Sequence, residues 1–89
     1  GDLGEALTLY TQALEVRRDN PYLHYHRGLV QYRLGDLGAA EESFKRAVRL
    51  QRDYIEAHNL LAQVYYQQGR LEEAEEVKAT VQRILAGKR

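Results

Sequence analysis

Apolar residues recur at steps of three and four along almost the whole chain. Between Leu3 and Val16 they are Leu3, Ala6, Leu7, Tyr10, Ala13 and Leu14. That is one stripe of a helix, not the alternation of a strand. The same spacing predicts a second helix from Pro21 to about Leu34, with Leu23, Arg27, Val30 and Leu34 on one side, and a third over Leu37–Leu50 that buries Leu37, Ala40, Phe44, Ala47 and Val48. A fourth is predicted from about Tyr54 to Gln68 and a fifth from Leu71 to about Ala86. The breaks between them carry cap chemistry. Asp2 with Glu5, and Asp53 with Glu56, read as N-cap and capping-box pairs. Either Asp19 or Asn20 caps the second helix, and Pro21 suits its first turn. Asp36 caps the third, while Gly35 and Gly69 supply left-handed C-caps. Gly28 sits inside the second helix at a cost of about 1 kcal/mol against alanine, which predicts close approach by a neighbouring helix. Short turns between five such helices make them antiparallel neighbours, and the fold class is all-α.

The pattern also repeats. Gly1, Gly35 and Gly69 recur at an interval of 34 residues, and Leu3/Leu37/Leu71, Ala6/Ala40/Ala74, Tyr10/Phe44 and Ala13/Ala47 keep the same step. Self-similarity at that period marks a stacked helical repeat. The chain resembles the tetratricopeptide repeat (TPR) family of helix-turn-helix units. The helix A slots of that family hold His24, Arg27, Gly28 and Gln31 in one unit and His58, Leu61, Ala62 and Tyr65 in the next. Its helix B slots hold Ala40, Phe44 and Ala47. Small residues let helix axes approach, and large ones fill the gaps.

The resemblance implies a right-handed superhelical solenoid of antiparallel hairpins, divided as residues 1–20 (a half repeat, helix B only), 21–54 and 55–89. The first unit lacks its A helix. Arg18 and Arg52 replace the family's proline before helix A, and Lys78 and Val81 occupy the slots of Phe44 and Ala47. A lone buried charge at Lys78 would cost several kcal/mol, so the fifth helix is expected to face solvent or a different element, and the piece is expected to be the C-terminal end of a longer array.

What the resemblance implies for function is a non-catalytic scaffold that binds a protein or peptide on the concave face formed by the A helices. By position that face shows Tyr22, Tyr25, His26, Leu29, Tyr32 and Arg33, then Glu56, Asn59, Gln63, Tyr66 and Gln67. Tyrosines there are either contact area for a partner or braces between helices. The lysine–asparagine–arginine clamp of the chaperone-binding members is absent, since its slots hold Tyr25, Leu29 and Leu60. The alternative is self-association through the open ends, Leu3, Leu7 and Tyr10 at one and Val77, Val81, Ile84 and Leu85 at the other. Burying one such side chain contributes roughly 1.5–3 kcal/mol.

Composition narrows the rest. Thirteen basic and thirteen acidic residues leave no net charge, which removes the electrostatic basis for sequence-independent nucleic-acid binding. No apolar run approaches the roughly 20 residues of a membrane span. Without cysteine there is no disulfide or thiolate site. His24 and His58, one repeat apart, lack a third ligand and read as packing residues, not a metal site. No nucleophile set, phosphate loop or carboxylate pair points to catalysis, and no cofactor is expected. Arg27, on a side expected to be covered, is predicted to reach a carboxylate such as Glu5.

Overall fold

A computed structural model describes residues 2–88; Gly1, the first of the periodic glycines, and Arg89 lie outside the described residues. The helices are α1 (Leu3–Val16), α2 (Pro21–Arg33), α3 (Leu37–Leu50), α4 (Ile55–Gln67) and α5 (Leu71–Gly87). Each packs on the next in the chain, and α2 also touches α4. This is the layout of stacked hairpins, in which successive A helices lie side by side.

The main core joins α3, α4 and α5 through Ala40, Phe44, Leu61, Val64, Tyr65 and Ala74. A smaller cluster of Ala47, Tyr54 and Ala57 closes the other end, and Tyr25 packs against both. Phe44 is wholly buried, and its ring lies over Gly28: a Cβ added there would meet Phe44 Cε1 at 2.7 Å. The close approach expected at Gly28 is thus between α2 and α3. Gly35 and Gly69 adopt φ +86° and +75°, the left-handed region that ends a helix most easily at glycine.

The caps follow side-chain reach. Asp2 Oδ1 accepts from the Glu5 N–H at 3.1 Å, and Asp36 Oδ1 from the Ala39 N–H at 3.2 Å. Asn20 rather than Asp19 caps α2, accepting from the N–H groups of Tyr22 and Leu23. The Asp53/Glu56 pair does not form a capping box. The buried Tyr54 takes the N-cap position of α4 with no side-chain cap bond. Asp53 therefore stands one residue too early, and its carboxylate pairs with Lys88 at 3.2 Å instead.

His24 and His58 explain themselves as a repeated latch. His24 Nε2 donates to the Arg18 carbonyl at 2.8 Å, and His58 Nε2 donates to the Arg52 carbonyl at 2.9 Å. Each buried imidazole ties the preceding turn to its own A helix and satisfies a backbone carbonyl just beyond the C-cap of the helix before it. A second tie crosses from α3 to the α4–α5 turn. There the Glu41 carboxylate, largely buried, takes Arg70 Nη1 at 2.7 Å and Lys45 Nζ at 2.9 Å.

Arg27 does not reach Glu5. Its Nε donates to Ser43 Oγ at 3.2 Å, and Ser43 Oγ donates to Gln31 Oε1 at 2.6 Å. A hydroxyl buried on α3 supplies the acceptor that a carboxylate on α1 was expected to supply. Lys78 is exposed, as expected, 3.8 Å from Glu75 and with its ammonium 5.9 Å from the Tyr66 ring centre.

The His24 latch has a pH consequence. Because a carbonyl only accepts, Nε2 carries the proton, and Nδ1 turns its lone pair toward Arg27 Nη2 at 3.5 Å. Burial holds the His24 pKa below the usual 6.5, the Arg27 and Arg46 charges push the same way, and the bond to Arg18 only partly offsets them. The unfolded chain then takes up the proton first. The stabilisation is complete above about pH 6.5 and is lost as pH falls below it toward the lower folded value. The urea midpoint is expected to fall between pH 7.5 and 5.5, and to fall less in His24→Gln. Equal midpoints for the wild type would refute the assignment.

Candidate functional site

Side by side, α2 and α4 present one continuous face, and α5 forms its rim. A cleft of about 520 Å³ opens there, lined by Tyr32 of α2, by Asn59, Leu60, Gln63 and Tyr66 of α4, and by Lys78 of α5. Helical periodicity puts Asn59, Gln63 and Tyr66 on one stripe of α4, and all are exposed. Their amides offer donors and acceptors, the tyrosines offer flat amphipathic area, and Lys78 adds one positive charge. The Tyr32 hydroxyl accepts from Gln67 Nε2, and the Tyr66 hydroxyl donates to Glu75. Both rings are thereby held in place at the cleft wall.

The residues expected on this face divide into two groups. Tyr32, Asn59, Gln63 and Tyr66 converge on the cleft. The remainder form an aromatic row toward the α1 end. Tyr22 lies edge-on to Tyr54 at 5.4 Å, Tyr25 is 5.0 Å from Tyr54 and 5.9 Å from Phe44, and His26 stacks on Tyr10 at 5.8 Å. Tyr25 is half-buried and braces both core clusters, so burial raises its pKa, with the Glu56 charge adding to it. Leu29 is half-buried against the main core, whereas Tyr22, His26 and Arg33 are exposed. Leu60 and Lys78 complete the cleft, though helix A periodicity alone did not single them out. Leu60 is half-buried on the same helix, and Lys78 arrives from α5 only through packing.

At the ends, Leu3, Leu7 and Tyr10 are half-buried on α1, which packs only on α2. On α5, Val81 is buried and Val77 packs on the main core, leaving Ile84 half-buried and Leu85 openly exposed. No group of three or more potential metal ligands occurs among the described residues, and no helix there is long and apolar enough to cross a membrane.

A stack of antiparallel hairpins presenting a polar–aromatic face defines a helical-repeat protein of the solenoid class. The sequence profile of the TPR repeat family matches residues 1–35, and that of the tetratricopeptide repeat family matches residues 31–86. The chain belongs to the tetratricopeptide repeat family. No curated protein matches it in sequence. Among solved structures it is similar to MamA AMB-1, at 27% identity and a TM-score of 0.87, over 96% of this chain and 46% of that one. It is also similar to MamA from Desulfovibrio magneticus RS-1, at 19% identity and a TM-score of 0.92, over 96% of this chain and 48% of that one, a likeness of fold alone. The chain thus spans about half the length of these MamA chains. The first TPR of Spaghetti (RPAP3), solved bound to the HSP90 peptide SRMEEVD, is 28% identical with a TM-score of 0.87, over 92% of this chain and 65% of that one. The family consists of protein-interaction modules.

Proposed function

We propose that the α2–α4 face binds an extended segment of a partner protein, without catalysis, and that the cleft between Tyr32, Asn59, Gln63, Tyr66 and Lys78 is where it is gripped. The observation that carries this reading is the cleft itself. Exposed amide side chains there stand between two tyrosines whose hydroxyls are already engaged, so their ring faces are what they offer a partner. Asn59 and Gln63 pair with the backbone groups of the segment, an apolar side chain lies on Leu60, and Lys78 favours an acidic neighbour. Support by analogy comes from the RPAP3 domain and its peptide. The chaperone clamp slots hold Tyr25, Leu29 and Leu60 here, so a partner ending in the same acidic motif is not expected.

Panning a displayed peptide library against the chain, followed by amide chemical-shift mapping of the best binder, tests this. Shifts are expected at Tyr32, Asn59, Gln63, Tyr66 and Lys78. Tyr66→Ala is expected to weaken binding by about 2 kcal/mol, roughly thirtyfold, while an exposed ring (37%) costs the fold little. Shifts centred on α1 or on the outer side of α3 would sink the reading.

A second reading, self-association, is favoured by the half-covered Leu3 and Leu7 and by exposed Leu85. Sedimentation equilibrium of the same samples separates the two. An oligomer dissolved by Leu7→Glu supports self-association, and a monomer throughout leaves the cleft as the working surface.

A further inference from the structure

The neutral total charge conceals a strong local separation. On the side of the molecule framed by α1 and α3, a second cleft of about 450 Å³ is lined by Thr11, Leu14, Glu15, Arg18, His24, Arg27 and Arg46. It continues into a smaller hollow that adds Arg49 and Leu50 to Arg18, His24 and Arg46. Four arginines thus line two adjoining hollows, Arg18 and Arg46 in both, Arg27 in the first and Arg49 in the second, and they come from the α1–α2 turn, from α2 and from α3. Glu15 is the carboxylate on its wall. None of the four arginines forms a salt bridge among the described residues, which is also true of Arg17, Arg33, Arg52 and Arg83; what sets the four apart is that they line adjoining hollows.

Arg27 is the fixed point of the cluster. Ser43 holds its Nε and the Nδ1 of His24 faces its Nη2, while Nη1 has no hydrogen-bond partner among the described residues. Burial and the Arg46 charge both work against the charged state of this side chain. A chain that crowds like charges with so little internal compensation has an uncompensated demand for anions there.

We infer that the Arg18–Arg27–Arg46–Arg49 cleft is an anion site for a phosphate monoester, carried on a partner's side chain or on a small molecule. A phosphate monoester brings about −1.5 to −2 charges and three acceptor oxygens at neutral pH. A carboxylate brings one charge and two oxygens, too little for this cluster. The guanidinium fork matches the phosphate oxygens in pairs. A long polyanion is a poorer occupant, because Glu72, Glu73, Glu75 and Glu76 crowd the start of α5 on a chain with no net charge. This site is independent of the α2–α4 face and stands or falls without it.

The test titrates the chain with O-phosphoserine in a short peptide, with glycerol phosphate as a free monoester, and with sodium chloride at matched ionic strength. The arginine Nε–H resonances and backbone amides are followed by NMR. Saturable shifts of Arg27 and Arg46 are expected with at least one phosphate probe and not with chloride, while Tyr66 stays still. Tighter binding of the phosphopeptide assigns the source to a modified partner, and tighter binding of glycerol phosphate assigns it to a small phosphate monoester. Arg46→Gln is expected to weaken the response at least about tenfold, as loss of a charge-assisted contact does. Its melting temperature without phosphate is expected to be unchanged or raised, since a repulsion with Arg27 is removed. Arg49→Gln repeats the measurement from the far end of the cleft. Shifts that chloride reproduces, or a response that both variants leave intact, would overturn the assignment.

Discussion

Phe44→Ala is expected to remove about 3–5 kcal/mol, a large share of the stability of the fold. The Phe44 ring is wholly buried at the meeting of α2 and α3 and belongs to the core that also joins α4 and α5. Truncating such a ring costs about 3–5 kcal/mol, the lost transfer energy plus the cavity left behind. A chain of 89 residues holds on the order of 4–13 kcal/mol in all. The neighbours cannot close the gap cheaply. Gly28 has no side chain to extend into it, and Tyr25 is already committed to Tyr54 and to the smaller cluster. Urea unfolding followed by circular dichroism at the helix band measures the loss. A decrease below about 1 kcal/mol would mean the ring is replaceable and the packing account is mistaken.

Gly28→Leu is expected to be the next most damaging change, for the opposite reason. Leucine is the better helix former by roughly 1 kcal/mol, so an isolated helix would gain. In the fold, the first added carbon already lies 2.7 Å from Phe44 Cε1 and 2.9 Å from Cδ1. The ring, boxed in on all sides, has nowhere to turn. Overpacking of this kind costs about 1–3 kcal/mol, and for a side chain as large as leucine the upper end is expected after the propensity gain is set against it. Gly28→Ala should destabilise the wild type yet stabilise Phe44→Ala, because the methyl group then enters space the ring has vacated. A double-mutant cycle reads that coupling directly. Additive effects of the two changes would show that the contact between them carries no weight.

The candidate site was legible in uneven measure. Tyr32, Asn59, Gln63 and Tyr66 could be placed on one face from the positions that the family resemblance gives its A helices, and for the three on α4 helix periodicity agrees, because residues three and four apart on a helix share a side. Tyr25 sat in the same stripe, yet it is a brace: the stripe faces the groove at one edge and the neighbouring A helix at the other. Lys78 belongs to a different repeat half, and no local pattern links it to Tyr66. The arginine cleft was invisible for a related reason. Arg18, Arg27, Arg46 and Arg49 are scattered over three elements, and a charge sum of zero gives no hint that one sign has been gathered on one side.

Local rules determined the helices of this protein, their order and their stacking. Hydrophobic spacing, caps within one turn and glycines at helix ends all act between residues close in sequence, and a 34-residue phase repeats them. Tertiary structure decided the rest. It turned the Asp53 carboxylate away from a cap and toward Lys88, and it gave Arg27 the hydroxyl of Ser43 in place of Glu5. It also set which tyrosines are walls and which are braces. The physical reason is range. A helix is fixed by contacts four residues apart, whereas a side chain's partner is fixed by whichever groups from other helices reach it first, and that depends on how the stack closes in space.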